Sequence, residues 1–286
     1  LMYGDMLFEM TRSFAQKPFR LRDHLERLYG SLDYAQIDCG LGIDEMEAAT
    51  HETIERNLPA LEGYDFLIMH DVTRGTVDLY DGITKEGTAP IVCIAVFPLV
   101  RQNGGRAEVY EKGAHWVVTP QQSIPSRYID PKAKSRSRIH YRIAELQADR
   151  IEKGAMALLT DERGCITEGT GSNFFMARGG EILTSKPHNI LRGVSRQVCM
   201  ELAEGLGIPV HETDFEPYDV RAATEAWFTT TTACMLPVTR FDSRPVGDGT
   251  PGPIYRKLLA AWSEEVGVDI VGQAREYAKL VATWKP

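Results

Sequence analysis

The chain of 286 residues is long enough for one large domain or two modest ones, each with its own core. Its 43% hydrophobic and 25% charged residues are those of a soluble globular protein, and the net charge of -8 argues against a nucleic-acid surface. No apolar run reaches the length of a membrane span, and the five cysteines and seven histidines are scattered without metal spacing, which speaks against zinc and for buried thiols in a reducing, cytoplasmic compartment.

The start Leu1-Met2-Tyr3-Gly4-Asp5 lacks the cationic region of a signal peptide and reads as the continuation of a missing segment, which leaves a targeting segment open. Met6–Phe14 reads as a strand. Residues 20–37 carry Leu21, Leu25, Leu28, Leu32 and Ala35 at helical spacing, and 44–57 form a second helix. Residues 64–73 are a strand. So is Ile91–Pro98, which reads as buried within the apolar run 89–100, and 107–119 follow as another. These elements predict a small N-terminal α/β domain over 1–118.

Residues 119–130, with Pro120, Pro125, two glutamines and two serines, read as an interdomain linker or a long surface loop. A larger domain follows over 131–286. Its first element is a helix over 135–153 with Ile139, Ile143, Leu146 and Ile151 as the apolar set, ending at Gly154. Strands over 155–160, 166–177 and 182–184 are joined by tight turns. A helix over 195–205, strands Val210–Thr213 and 226–231, and a helix Pro253–Val266 complete the pattern. The fold class is α/β (α+β), in two domains.

Several pieces can carry chemistry. Gly193-Val194-Ser195 stands just before a helix, where outward N–H groups favour anions; a plain N-cap gives the same pattern. The run Thr229-Thr230-Thr231-Thr232 is either a set of good strand formers or a convergence of hydroxyls at a strand end. Arg27 lies off the main apolar stripe of its helix and in isolation reads as solvated. Lys132 and Lys134 enter a predicted helix; a lysine can form a Schiff base, and a flanking like charge lowers an amine's pKa. Glu168 precedes Gly169 and Gly171 and is either a turn residue or a partner for a protonated pyridine nitrogen. Such a pair, at about 4 Å and an effective dielectric near 20, is worth on the order of 4 kcal/mol before desolvation.

In this order the pieces resemble the fold-type IV pyridoxal phosphate enzymes: branched-chain and D-amino-acid aminotransferases, (R)-amine transaminases and aminodeoxychorismate lyases. The resemblance rests on Phe8-Glu9, His24-x-x-Arg27-Leu28, Val72-Thr73-Arg74-Gly75, Lys134, Thr167-Glu168-Gly169-x-Gly171-x-Asn173, Gly193-Val194-Ser195-Arg196 and the threonine run before Pro237-Val238. It covers Tyr3 to about Val266. It implies pyridoxal phosphate in a cleft between domains, ping-pong transamination between an amino acid or primary amine and a keto acid, and a homodimer with shared active sites. Lys134 is then the Schiff-base lysine and proton shuttle, and Glu168 the partner of the ring nitrogen. Arg27, Val194, Ser195 and Thr231 hold the phosphate, with Thr230 close by, and Lys132 has no catalytic place. Phe8, Met69, Asp71 and Met235 line the substrate pocket by position, with Thr232 and Arg138 as further candidates.

The departures bear on the substrate. Branched-chain enzymes of the family carry a tyrosine five residues after the lysine, near the cofactor's phenolic oxygen; Ile139 stands there, with Arg138 or Tyr141 as substitutes. Their Tyr-x-Arg pattern reads Leu67-Ile68-Met69, and the Arg-x-His carboxylate trap of D-amino-acid enzymes is absent from Thr76-Val77-Asp78-Leu79-Tyr80. Lyases of the family have threonine in place of Glu9, which favours transamination over β-elimination. In Lys134-Ser135-Arg136-Ser137-Arg138 one arginine meets a substrate carboxylate or both are surface residues.

Overall fold

A computed structural model describes residues 4–75 and 90–283, and the Thr76–Tyr80 stretch lies outside them. The chain divides into two compact units, Leu1–Leu99 with Lys132–Arg138, and Val100–Pro131 with Ile139–Pro286. Residues 119–130 fall inside the second unit, where Gln121 N–H donates to Gln147 and Ser123 N–H to the Thr160 carbonyl.

The first unit opens with β1 (Met6–Phe14), which turns into the short β2 (Lys17–Pro18). Helices α1 (Leu21–Tyr34) and α2 (Ile43–Asn57) follow, then β3 (Phe66–Thr73) and β4 (Ile91–Pro98). The strands form an antiparallel sheet in the order β2-β1-β3-β4. Leucines at 21, 25, 28 and 32 line one face of α1 and pack with Met46 of α2 against Leu7, Val72, Val92 and Ile94 of the sheet. Alternation then turns Met6, Phe8 and Met10 to the other side.

Two expectations fail in this unit. Ile91–Pro98 is not a buried strand: among the described residues it is the sheet's edge, and Ile91 and Phe97 are 63% and 47% exposed. The helix expected from residue 135 begins only at Ile139. Ser135 instead bridges Leu7 in antiparallel register, Phe8 N–H donates to the Lys134 carbonyl at 3.0 Å, and Arg136 N–H to that of Met6 at 2.9 Å. The alternation Ser-Arg-Ser-Arg is a two-residue period, which suits an extended segment beside β1.

The second unit starts with α3 (Val100–Gly104), α4 (Ala107–Lys112) and β5 (Ala114–Val118). The single strand expected over 107–119 is therefore a helix and a strand, separated at Gly113, whose φ of 74° ends α4. Helix α5 (Ile139–Ile151) precedes β6 (Met156–Thr160), β7 (Ile166–Gly169), β8 (Ser172–Arg178) and β9 (Glu181–Ser185). Then come α6 (Val194–Gly205), β10 (Val210–Thr213), α7 (Pro217–Val220), β11 (Glu225–Thr230), β12 (Cys234–Phe241), β13 (Arg244–Pro245), α8 (Pro253–Val266) and α9 (Ile270–Thr283). The strand expected over 166–177 is a hairpin, turned at Gly169–Ser172 so that Glu168 faces Asn173.

Strands run in the order β10-β9-β8-β11-β12-β5-β6-β7, and β7 also pairs with β8. That last pairing closes β8, β11, β12, β5, β6 and β7 into a ring. Its interior is aromatic: Trp116 of β5 lies 6.1 Å from Phe174 of β8 and 4.8 Å from Phe228 of β11, across strands that are not neighbours. On the other side of the wall Phe175 stacks on Trp227. Helix α5 reverses its expected face. Ala144 and Ala148 pack on Val117, Ala157 and Leu159, while Ile139, Ile143, Leu146 and Ile151 are exposed. Small residues let the helix approach the sheet, so the bulkier stripe points away.

Not every thiol is buried: Cys199 and Cys234 are, whereas Cys93 is exposed. Among the described residues no helix is long and apolar enough to cross a membrane.

Candidate active site

The site residues fall into two groups, one in each unit. In the first unit Lys134 is held beside β1 by the Phe8 hydrogen bond and by its own N–H, which donates to Ser31 Oγ at 3.2 Å. Residues opposed in antiparallel register project to one side, so Lys134 and Arg136 emerge on the side of Phe8. Lys134 Nζ lies 4.6 Å from the Phe8 ring centroid, and the guanidinium carbons of Arg136 and Arg138 lie at 3.8 and 5.9 Å. One aromatic ring thus gathers three cations.

Asp71 offsets one of them. It sits opposite Phe8 on β3, and Arg136 donates to both its carboxylate oxygens, Nε to Oδ1 at 2.8 Å and Nη2 to Oδ2 at 3.2 Å. Arg136 Nη2 also meets Met69 Sδ at 2.9 Å. Phe8, Met69 and Asp71 therefore converge on Arg136, and Arg138 shares their ring. Met235, on β12 of the second unit, is fully buried.

The helix-covered side of the first sheet holds a buried ionic cluster. Glu9, fully buried, accepts from Arg27 Nε and Nη2 at 2.8 and 2.7 Å, and His24 Nδ1 lies 3.1 Å from its Oε1. Burial alone would raise the Glu9 carboxyl; Arg27 and His24 outweigh it and hold the group well below the usual carboxylate range. Burial depresses His24 despite the adjoining carboxylate. His70, 2.8 Å from Thr50 Oγ1 through Nε2, is pushed down to about 4 by burial, against the pull of Glu9 and Asp71. Arg27 is therefore oriented by a fork-to-fork pair, which the sequence showed only as Glu9 on a strand and Arg27 on a helix.

In the second unit Glu168 lies on β7, 4% exposed. Its Oε2 accepts from Leu191 N–H at 2.9 Å and from Asn173 Nδ2 at 3.2 Å, and its Oε1 accepts from the Tyr141 hydroxyl at 2.9 Å. Donors on both oxygens favour the anion. Asn173 Nδ2 also donates to the Leu191 carbonyl at 2.9 Å, which ties the loop before α6 to the hairpin. The close approach needs two glycines. A side chain at 193 would run into Asn173 Oδ1, and one at 169 into the Trp116 ring.

Val194 and Ser195 open α6, whose N-cap is Gly193 with no side-chain cap. The first N–H groups of this twelve-residue helix thus lack the usual capping oxygen. Thr229 stands opposite Asn173 across β11 and β8, and its Oγ1 is buried without a hydrogen-bond partner. Thr230 ends β11, and Thr231 and Thr232 form the turn to β12. The Tyr110 hydroxyl secures that turn by donating to the Ala233 carbonyl at 2.8 Å.

The sequence bears no sign of the Leu191 amide, and it marks Thr229 and Asn173 only as members of longer runs. Asn173 was within the quoted motif, and its facing of Glu168 follows once the glycines are read as a hairpin turn. Ile139, the position expected to bear a tyrosine, is 76% exposed, whereas Tyr141, half a helical turn on, meets the carboxylate.

The family model described as "Amino-transferase class IV" matches residues 6–241. A putative branched-chain-amino-acid aminotransferase of Methanocaldococcus jannaschii is 33% identical over 261 residues, covering 90% of this chain and 86% of that protein. A D-alanine aminotransferase of Listeria monocytogenes is 28% identical, over 92% of this chain and 88% of its own length. Among solved structures, the branched-chain amino acid aminotransferase of Escherichia coli superposes with a TM-score of 0.82 at 27% identity, covering 92% of this chain and 86% of that one.

Proposed function

The chain belongs to the class IV aminotransferases, the fold-type IV pyridoxal phosphate family, and we propose that it transfers amino groups from an amino acid to a 2-keto acid. The observation that carries this is a lysine amine on an arginine-rich aromatic face together with a buried carboxylate whose two oxygens are fixed by three donors. The residues fit the cofactor. Glu168 suits a cationic ring nitrogen, the uncapped start of α6 at Val194 and Ser195 suits a phosphate, and Thr229 keeps a buried hydroxyl to satisfy. Thr230, Thr231 and Arg27 are the further phosphate ligands in this reading, and Glu9 fixes the orientation of Arg27 through its Nε and Nη2.

When bound, pyridoxal phosphate supplies an aldehyde for amines and a ring that takes up the electron pair left at the substrate's Cα. Lys134 Nζ would hold the aldehyde end and, once displaced by the donor amine, would move the proton between the substrate's Cα and the neighbouring carbon. Glu168 keeps the ring nitrogen's proton in place. We assign the substrate carboxylate to Arg138, whose guanidinium lies over the same Phe8 ring as the Lys134 amine. This favours α-carboxylate donors over plain amines.

A donor screen with L-leucine, D-alanine and (R)-1-phenylethylamine, using 2-oxoglutarate as acceptor and the cofactor's visible absorbance as a second readout, tests the reading. Amino acids turn over and the amine does not. Equal or better turnover of the amine overturns the carboxylate assignment. A protein saturated with pyridoxal phosphate that shows no absorbance change upon Lys134→Ala overturns the enzyme.

A further inference from the structure

We infer that Tyr141 is a positioning residue for Glu168, acting at the nitrogen end of the cofactor through the carboxylate rather than at its phenolic oxygen. The inference rests on the function proposed above, and its evidence is local to one unit.

The Tyr141 hydroxyl donates to Glu168 Oε1 at 2.9 Å, while the Leu191 amide and Asn173 hold Oε2. Without the phenol, Oε1 would lose a donor that this buried carboxylate has in addition to the two on Oε2. The phenol's own place is determined by packing. Tyr141 lies with Ala144 and Ala148 on the face of α5 that meets Val117, Ala157 and Leu159, and its ring centroid is 4.0 Å from that of His140. Ile139, two residues earlier, points away from that face and is 76% exposed. A side chain at 139 therefore cannot reach what Tyr141 reaches, and the two positions are not alternative homes for one tyrosine.

The consequence concerns where a proton sits. A carboxylate and a ring nitrogen in contact share one proton, and each donor to the carboxylate lowers its basicity. With Tyr141 in place the proton stays on the nitrogen, and the ring remains cationic enough to take up the substrate's electron pair. Without that donor, Glu168 becomes the stronger base and draws the proton toward itself. A hydrogen bond to a charged group is strong enough to change such a balance roughly tenfold.

The test uses the full chain, reconstituted with pyridoxal phosphate labelled with nitrogen-15 in the ring, as wild type, Tyr141→Phe and Glu168→Gln. Phenylalanine keeps the ring that packs on the alanines, and circular dichroism checks the fold. In Tyr141→Phe the ring-nitrogen resonance moves from the wild-type position toward the unprotonated one, and further still in Glu168→Gln. Tyr141→Phe also lowers kcat about tenfold with KM changed less than twofold, and Ile139→Tyr added to it restores neither readout. A Tyr141→Phe protein whose resonance and kcat match the wild type overturns the inference. So does one whose visible band changes while the nitrogen resonance stays fixed, the mark of a phenol at the phenolic oxygen. A wild type that takes up no pyridoxal phosphate fails earlier and overturns the proposed function itself.

Discussion

Asn173 and Gly193 are sterically matched: the amide oxygen of one occupies the space where a side chain on the other would begin. Gly193 has a φ of -66°, which any residue adopts, so the requirement for glycine is room and not backbone freedom. Gly193→Ala thus displaces Asn173, whose Nδ2 bridges Glu168 and the Leu191 carbonyl. Overpacking of this kind costs on the order of 2 kcal/mol. Urea unfolding should show that loss, and titration with pyridoxal phosphate a roughly tenfold weaker Kd. Asn173→Ala should lose part of the same affinity, and adding Gly193→Ala to it should cost much less than in the wild type, because the clashing atom is gone.

Glu9 and Arg27 form the other locked pair, and Glu9 is the buried member. Glu9→Gln leaves a guanidinium without its counter-charge beside a depressed histidine. Breaking a buried pair by removing one partner costs roughly 3 kcal/mol. We expect the first unit to lose that much in a denaturant titration followed by hydrogen exchange of α1 amides. Glu9→Asp, which keeps the charge but shortens the reach, should fall between Glu9→Gln and the wild type.

The same cluster sets the response to acid. His70 titrates near 6.5 when unfolded and near 4 in the native state, where burial disfavours its cation. Between those values the unfolded chain carries a proton that the native chain does not, so stability rises with pH and is lost as pH falls. The loss from His70 amounts to about 2 kcal/mol by pH 5. His24 acts in the same direction, and Glu9, held well below its usual range, adds a further loss below about pH 4.5. Comparing unfolding free energies at pH 7.5 and 5 should show this drop in the wild type. The drop should shrink by about 2 kcal/mol in His70→Gln; an unchanged drop would place the acid sensitivity elsewhere.

How much of this was legible depends on the range of the interaction. Met6–Phe14, Ile91–Pro98, Val210–Thr213 and Pro253–Val266 were readable to the residue, because a local period and a turn or proline fix them. Helix α5 was readable as a helix but not for its buried face, since Ile143 and Leu146 outrank Ala144 and Ala148 on any hydrophobic scale and only the neighbouring sheet favours the alanines. The Lys134–Arg138 segment was misread because its strand partner, β1, lies more than a hundred residues away. Glu168 and Lys134 could be named from spacing and resemblance. Tyr141 could be listed only as one substitute among others, since a contact between positions 141 and 168 leaves no periodic mark in the chain.

Arg136 and Arg138 share a ring but not a role, and substitution should separate them. Arg136 is clasped by both oxygens of Asp71, so Arg136→Ala strands a carboxylate and loosens the Phe8 face, lowering stability along with activity. Arg138 reaches the ring from further away and carries the carboxylate assignment. Arg138→Ala therefore tests that assignment directly. Its KM for the best amino-acid donor should rise by one to two orders of magnitude, the worth of a charge-assisted pair. Turnover of a donor amine without a carboxylate should stay the same or improve, which reverses the preference of the wild type. A KM unchanged for amino acids, with that preference intact, would move the carboxylate site away from Arg138.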